Sequence, residues 1–148
     1  MATFKRFEEM HAWQSAREFV RLVYGATKQL EFNRDFALRD QIRRAAISVM
    51  SNIAEGFGTE SDAEFVRFLG YARRSVSETQ SQLYAAIDRE YISSEAFEGI
   101  YAKANITERQ INALIGYLAR SKQGRTIKKE ETTPYSLDIP DDIDLSDL

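Results

Sequence analysis

Residues 41–56 read QIRRAAISVMSNIAEG, and a single helix made from them is apolar on two faces. At about 100° per residue, Leu38, Ile42, Ala45, Val49 and Ile53 line one side. Ile47, Met50 and Ala54 fall roughly opposite, and Gln41, Arg44, Ser48, Asn52 and Glu55 form a polar stripe beside the first side. Gly56 stands where a C′ residue is expected to stop the helix. A helix apolar on two sides has to bury both. One side goes to a core, and Ile47, Met50 and Ala54 are expected to meet a second copy of the chain.

Outward from this stretch the helical period recurs three more times. Residues 7–30 place Ala12, Trp13, Ala16, Phe19, Val20, Val23, Thr27 and Leu30 on one face. Residues 31–37 read as a loop leading into a helix over 38–55. After Gly56-Phe57-Gly58, Ser61 and Glu64 form an S-x-x-E capping box that opens a helix running to about Asp88. Its inward face is Phe65, Phe68, Leu69, Ala72, Val76, Thr79, Leu83, Ala86 and Ile87. Ser94 is the expected cap of a last helix, which carries Phe97, Ile100, Tyr101, Ala104, Ile111, Leu114, Ile115 and Leu118 and ends near Gly124. Both prolines lie beyond it, at 134 and 140, so nothing earlier forbids long helices. Short loops make successive helices antiparallel. The expected fold is all-α, an antiparallel up-down-up-down four-helix bundle over residues 1–124.

Residues 125–148 form a tail of different character. All 20 lysines and arginines lie in residues 1–129, beside 16 acidic residues, so this body carries +4. Residues 130–148 hold seven acids and no base, with Leu137, Ile139, Ile143, Leu145 and Leu148 interleaved among them. An acidic, extended tail of this kind is expected to be disordered or to dock a partner. Against a basic groove of the same assembly it would compete with a polyanion.

The 148 residues suffice for one domain with its own core. There is no cysteine, no apolar leader opens the chain, and no run nears the roughly 18 apolar residues of a membrane span. A cytoplasmic protein with no membrane partner fits. Catalysis has little material. His11 is the single histidine, and Glu8 to His11 is one E-x-x-H where a di-metal bundle needs two, plus further carboxylates. No metal site, cofactor or catalytic residue is expected, and Gly56-Phe57-Gly58 lacks the lysine of a phosphate loop.

Two polar patterns stay open. Gln41, Arg44, Ser48, Asn52 and Glu55 face a matching set on the next helix, Tyr71, Ser75, Glu78 and Gln82. They predict an interhelical hydrogen-bond network, with Arg44 pairing Glu55 or Glu78 to set helix register. The second pattern is basic: Arg39, Arg43, Arg67, Arg73, Arg74, Arg120, Lys122 and Arg125 are candidate nucleic-acid contacts. Between residues 38 and 88 every basic residue is arginine, the better residue for forked phosphate contacts.

Trp13-Gln14 with Ala16, Gln41-Ile42-Arg43-Arg44-Ala45-Ala46 into Ser48, and Asn52-Ile53-Ala54-Glu55-Gly56 resemble the four-helix-bundle proteins encoded in 23S rRNA intervening sequences. The likeness continues through Glu64-Phe65, Phe68-Leu69, Ala72-Arg73, Ser75, Glu78 and Tyr91-Ile92, about 7–120 in all. It implies a non-enzymatic bundle that assembles as a homopentamer. It also implies a relation to accessory proteins of diversity-generating retroelements, whose basic pentamers bind nucleic acid and a reverse transcriptase. Met50 stands where relatives often have Pro, and Arg74 where Gly is common. The acidic tail lies outside the likeness. The leading expectation is an oligomeric accessory protein that binds nucleic acid, RNA before DNA, and assists a retroelement reverse transcriptase. The alternative is a protein-interaction scaffold whose tail docks a partner.

Overall fold

The computed structural model describes residues 2–121 and 137–139. A 3₁₀ turn at Phe7–Glu9 leads into five helices: α1 (His11–Thr27), α2 (Leu30–Arg34), α3 (Phe36–Phe57), α4 (Asp62–Asp88) and α5 (Ser94–Ser121). The helical class is as expected. The boundaries differ where tertiary packing outweighs period.

The segment expected as one helix over 7–30 is broken twice. Met10 is extended, with φ −78° and ψ 130°, and its side chain is fully buried. That bend lets Phe7 fold back to within 5.1 Å of the Trp13 ring. Gln29 is extended too, and a short helix occupies part of the expected loop. Phe32 in that helix is fully buried, with its ring 5.3 Å from Tyr91, while Leu30 points outward at 61% exposure. A one-dimensional period cannot place Phe32, because its cover comes from a residue 59 positions away.

α3 begins two residues earlier than expected. Asp35 Oδ1 accepts the Leu38 N–H at 3.1 Å, the capping role that offsets an orphan donor in the first turn. At its far end α3 continues through Gly56 to Phe57, and Gly58 is the cap. Gly56 therefore does not stop the helix. Among the described glycines none has positive φ, and a Cβ on Gly56 would lie 2.7 Å from Phe65 Cδ2 and 2.8 Å from Phe68 Cβ. The residue is small because α3 and α4 touch there.

Ser61 Oγ accepts the Glu64 N–H at 3.2 Å and opens α4 as expected. α4 closes with Glu90 at φ 62°, while the Tyr91 N–H donates to the Ala86 carbonyl at 3.0 Å and the Glu90 N–H to that of Ile87 at 2.9 Å. This is a Schellman ending without its usual glycine. α5 is capped by Ser93 instead of Ser94, its Oγ accepting the Ala96 N–H at 3.0 Å.

α1 packs on α3 and α5, α3 on α4, and α4 on α5, so four long helices close around one core. Phe19, Ile42, Ile53, Phe65, Leu69, Leu83, Ile111, Leu114 and Leu118 are fully buried in it. Ser48 meets Ser75 and Gly56 meets Phe65, so α4 runs back along α3. Arg73 meets Asn112 and Gln80 meets Asn105, so α5 runs back along α4.

One pairing was not legible in the helical pattern. Strand β1 (Ala2–Phe4) pairs antiparallel with β2 (Leu137–Ile139), with Ala2 opposite Ile139 and Phe4 opposite Leu137. Three-residue strands are too short to show a period of two. Part of the expected tail thus returns to the N-terminal segment of the same chain. The expected end of α5 near Gly124 and the rest of the tail lie outside the described residues.

Candidate nucleic-acid interface

The polar stripe on α3 is only partly drawn together. Asn52 Nδ2 donates to the Ser48 carbonyl at 2.8 Å and to Ser48 Oγ at 2.9 Å, and Ser75 Oγ donates to Ser48 Oγ at 2.9 Å. This neutral cluster ties α3 to α4 and contains no group that titrates near neutrality. Gln41, Arg44 and Glu55 are exposed and outside it, and Arg44 pairs with neither Glu55 nor Glu78. Glu78 instead accepts a 3.3 Å bond from Gln82 Nε2. Solvation in water costs those side chains less than the rotamer freedom a bridge would remove.

The second apolar face of α3 narrows. Met50 is half-buried and packs against the core, two turns along from Arg43, whose side chain reaches α1. Ala54 is half-buried, and Ile47 is the large apolar residue left outward, at 38% exposure.

The arginines separate into engaged and free. Arg43 Nε donates to the buried Thr27 Oγ1 at 2.8 Å, and its guanidinium carbon sits 4.6 Å from the Tyr24 ring centre. Arg39 Nε donates to Asp40 Oδ1 at 2.9 Å and Nη1 to the Asn33 carbonyl at 3.0 Å, with Phe36 beneath it at 4.8 Å. Both hold α3 in place. Neither partner was visible in sequence, because Thr27 and Asn33 belong to segments whose placement depends on the breaks around α2.

On α4 the situation is different. Arg67 and Arg74 are exposed and make no ion pair among the described residues. Their guanidinium carbons lie 6.0 and 5.9 Å from the centre of the Tyr71 ring. Phe68 braces that ring edge-on at 5.9 Å and 83°. Arg73 donates to Asn112 Oδ1 at 3.0 Å, a neutral partner, and makes no ion pair among the described residues. Arg120 is exposed on α5, while Lys122 and Arg125 lie outside the described residues. Tyr71 read as part of the polar network; its spacing of four residues after Arg67 and three before Arg74 is the signal for the cluster it joins.

Among the described residues no group of three or more His, Cys, Asp or Glu is placed to hold a metal ion. No described helix is long and apolar enough to cross a membrane. An open groove of about 690 Å³ runs between α1 and α5, lined by Leu22, Gly25, Ala26, Ala96, Gly99 and Ile100 with Arg21 and Glu95 among the charged neighbours.

These features define a helical-bundle protein with arginines on the outside of one helix that make no ion pair among the described residues. The chain belongs to the 23S rRNA-intervening sequence protein family, whose model matches residues 8–113. It is similar to the 1.70 Å crystal structure of a protein with unknown function from the S23 ribosomal protein family of Bacteroides thetaiotaomicron. The two share 27% identity and a TM-score of 0.65, over 70% of this chain and 97% of that one. No curated protein matches the chain.

Proposed function

We propose that this protein is a non-enzymatic, nucleic-acid-binding accessory protein with RNA as its ligand. It acts in the cytoplasm as a closed homo-oligomer of up-down-up-down bundles, pentameric as the family resemblance implies. The same resemblance makes a retroelement reverse transcriptase its candidate protein partner. The observation that carries the reading is the set of exposed guanidinium groups of Arg67 and Arg74, unpaired among the described residues, beside Arg73. Unpaired arginines have no intramolecular bond to give up when a phosphate arrives, so both prongs of each fork are available. A net +4 on one body is a weak field, but copies arranged around an axis add theirs and release counterions together.

Binding of a structured RNA should fall steeply between low and moderate salt. Arg67→Gln with Arg74→Gln should weaken binding to unrelated sequences alike and lower the logarithmic salt slope by about 2, roughly one per lost phosphate contact. Absent or salt-indifferent binding by the wild type would reject this reading in favour of the protein-interaction scaffold.

A further inference from the structure

We infer that Tyr71 is a stacking platform for an unpaired base, with Arg67 and Arg74 taking the phosphates on either side. This rests on the nucleic-acid binding proposed above and names its site and the state of its ligand. Three of the four aromatic–arginine groups among the described residues allow a direct comparison. The fourth, Arg17 at 5.9 Å from the Trp13 ring centre, lies on α1 where that ring packs against Phe7 and the core. At Tyr24 and Phe36 the guanidinium sits 4.6 and 4.8 Å from the ring centre and is already hydrogen-bonded to Thr27, or to Asp40 and Asn33. Those arginines are committed. At Tyr71 both guanidinium carbons stand about 6 Å from the ring centre, at the outer limit of a cation–π contact. Arg67 is shared between this ring and that of Phe68, 5.9 Å away. Neither arginine is hydrogen-bonded among the described residues, so both can move off the ring without breaking a bond.

Tyr71 is 38% exposed, and its hydroxyl has no hydrogen-bond partner among the described residues. Phe68, half-buried where α3 and α4 touch at Gly56, meets Tyr71 edge-on and limits how the ring can swing. The platform is therefore held before any ligand binds, which reduces the ordering cost of stacking. Arg67 and Arg74 are seven residues apart, about 10 Å along the helix axis, so one cation stands to each side of the ring. Glu64 and Glu78 are exposed a turn beyond each arginine and pair with neither. Their charge repels phosphate and confines the footprint to the stretch between. The bases of a duplex are enclosed between neighbours and present only their edges. A loop or single strand presents a free face to a flat ring, and arginines collect its backbone.

The test measures affinity of the full-length protein for an unstructured oligoribonucleotide and for a blunt RNA duplex of equal length. Tyr71→Ala should weaken single-strand binding roughly 5- to 150-fold, the equivalent of about 1–3 kcal/mol for one base–aromatic stack. Duplex affinity and the salt slope should be unchanged, and Tyr71→Phe, which stacks without the hydroxyl, should bind as the wild type does. Equal losses on both ligands, or no loss on the single strand, would overturn the inference while leaving nucleic-acid binding intact. A lower assembly mass for Tyr71→Ala by light scattering would also overturn it, by placing the ring at a subunit contact. If the wild type binds neither ligand, the proposed function itself falls.

Discussion

Gly56 carries the sharpest constraint at the scale of one residue. An alanine there gains about 1 kcal/mol of helix propensity. It also drives a methyl to within 2.7 Å of Phe65 and 2.8 Å of Phe68, where neither atom is the end of a flexible chain. Overpacking of this kind costs about 1–3 kcal/mol, so Gly56→Ala should lower the urea midpoint. A raised midpoint would mean that α3 and α4 can separate there at no cost. The same contact explains why a glycine that looks like a helix stop is not one. It is selected by a neighbour on another helix, not by its own φ.

Between elements, the carboxylate of Asp35 joins two helix junctions. Oδ1 caps α3 through Leu38, and Oδ2 accepts the Tyr91 hydroxyl at 3.0 Å from the turn between α4 and α5. Partial burial, and then the bond to Asp35, push the Tyr91 phenol above its ordinary value. A group whose folded pKa is raised contributes stability that is complete below the unfolded value and is lost as pH rises through the folded one. The bundle should therefore lose stability in the alkaline range, and Tyr91→Phe should lose less of it. Tyr101, raised chiefly by Tyr84, keeps part of the dependence in the variant. Identical alkaline profiles for the two proteins, followed by denaturant midpoint, would remove Asp35–Tyr91 as the cause.

The whole molecule is where the oligomer has to be decided. Met50 packs against the core, so charging it would strike the subunit itself. Ile47 is the clean probe, being outward and 38% exposed. The wild type should show a multiple of the chain mass by light scattering at micromolar concentration. Ile47→Asp should shift it toward monomer with helical circular dichroism retained, because a charge there is desolvated only when a second copy covers it. A wild type at monomer mass would reject the closed ring, and an Ile47→Asp variant of unchanged mass would place the contact elsewhere.

Much of this architecture is local physics, which a sequence carries openly. The buried faces of α1, α3, α4 and α5 follow the 3.6-residue spacing of Phe19 and Val23, Ile42 and Val49, Leu69 and Val76, Ile111 and Leu118. Ser61 announces the start of α4 because a cap needs only its own next turn. What the tertiary structure alone decided depends on partners distant in the chain. Phe32 is core because Tyr91 covers it, and Gly56 is a contact because Phe65 faces it. Leu137–Ile139 is a strand because Ala2–Phe4 lies alongside. The arginines divide on the same ground. All look alike as residues on amphipathic helices, yet Arg43 ends against Thr27 and Arg39 against Asn33, whereas Arg67 and Arg74 end in solvent on either side of Tyr71. Composition set their number; only the packing of helices around them determined which were left free to bind.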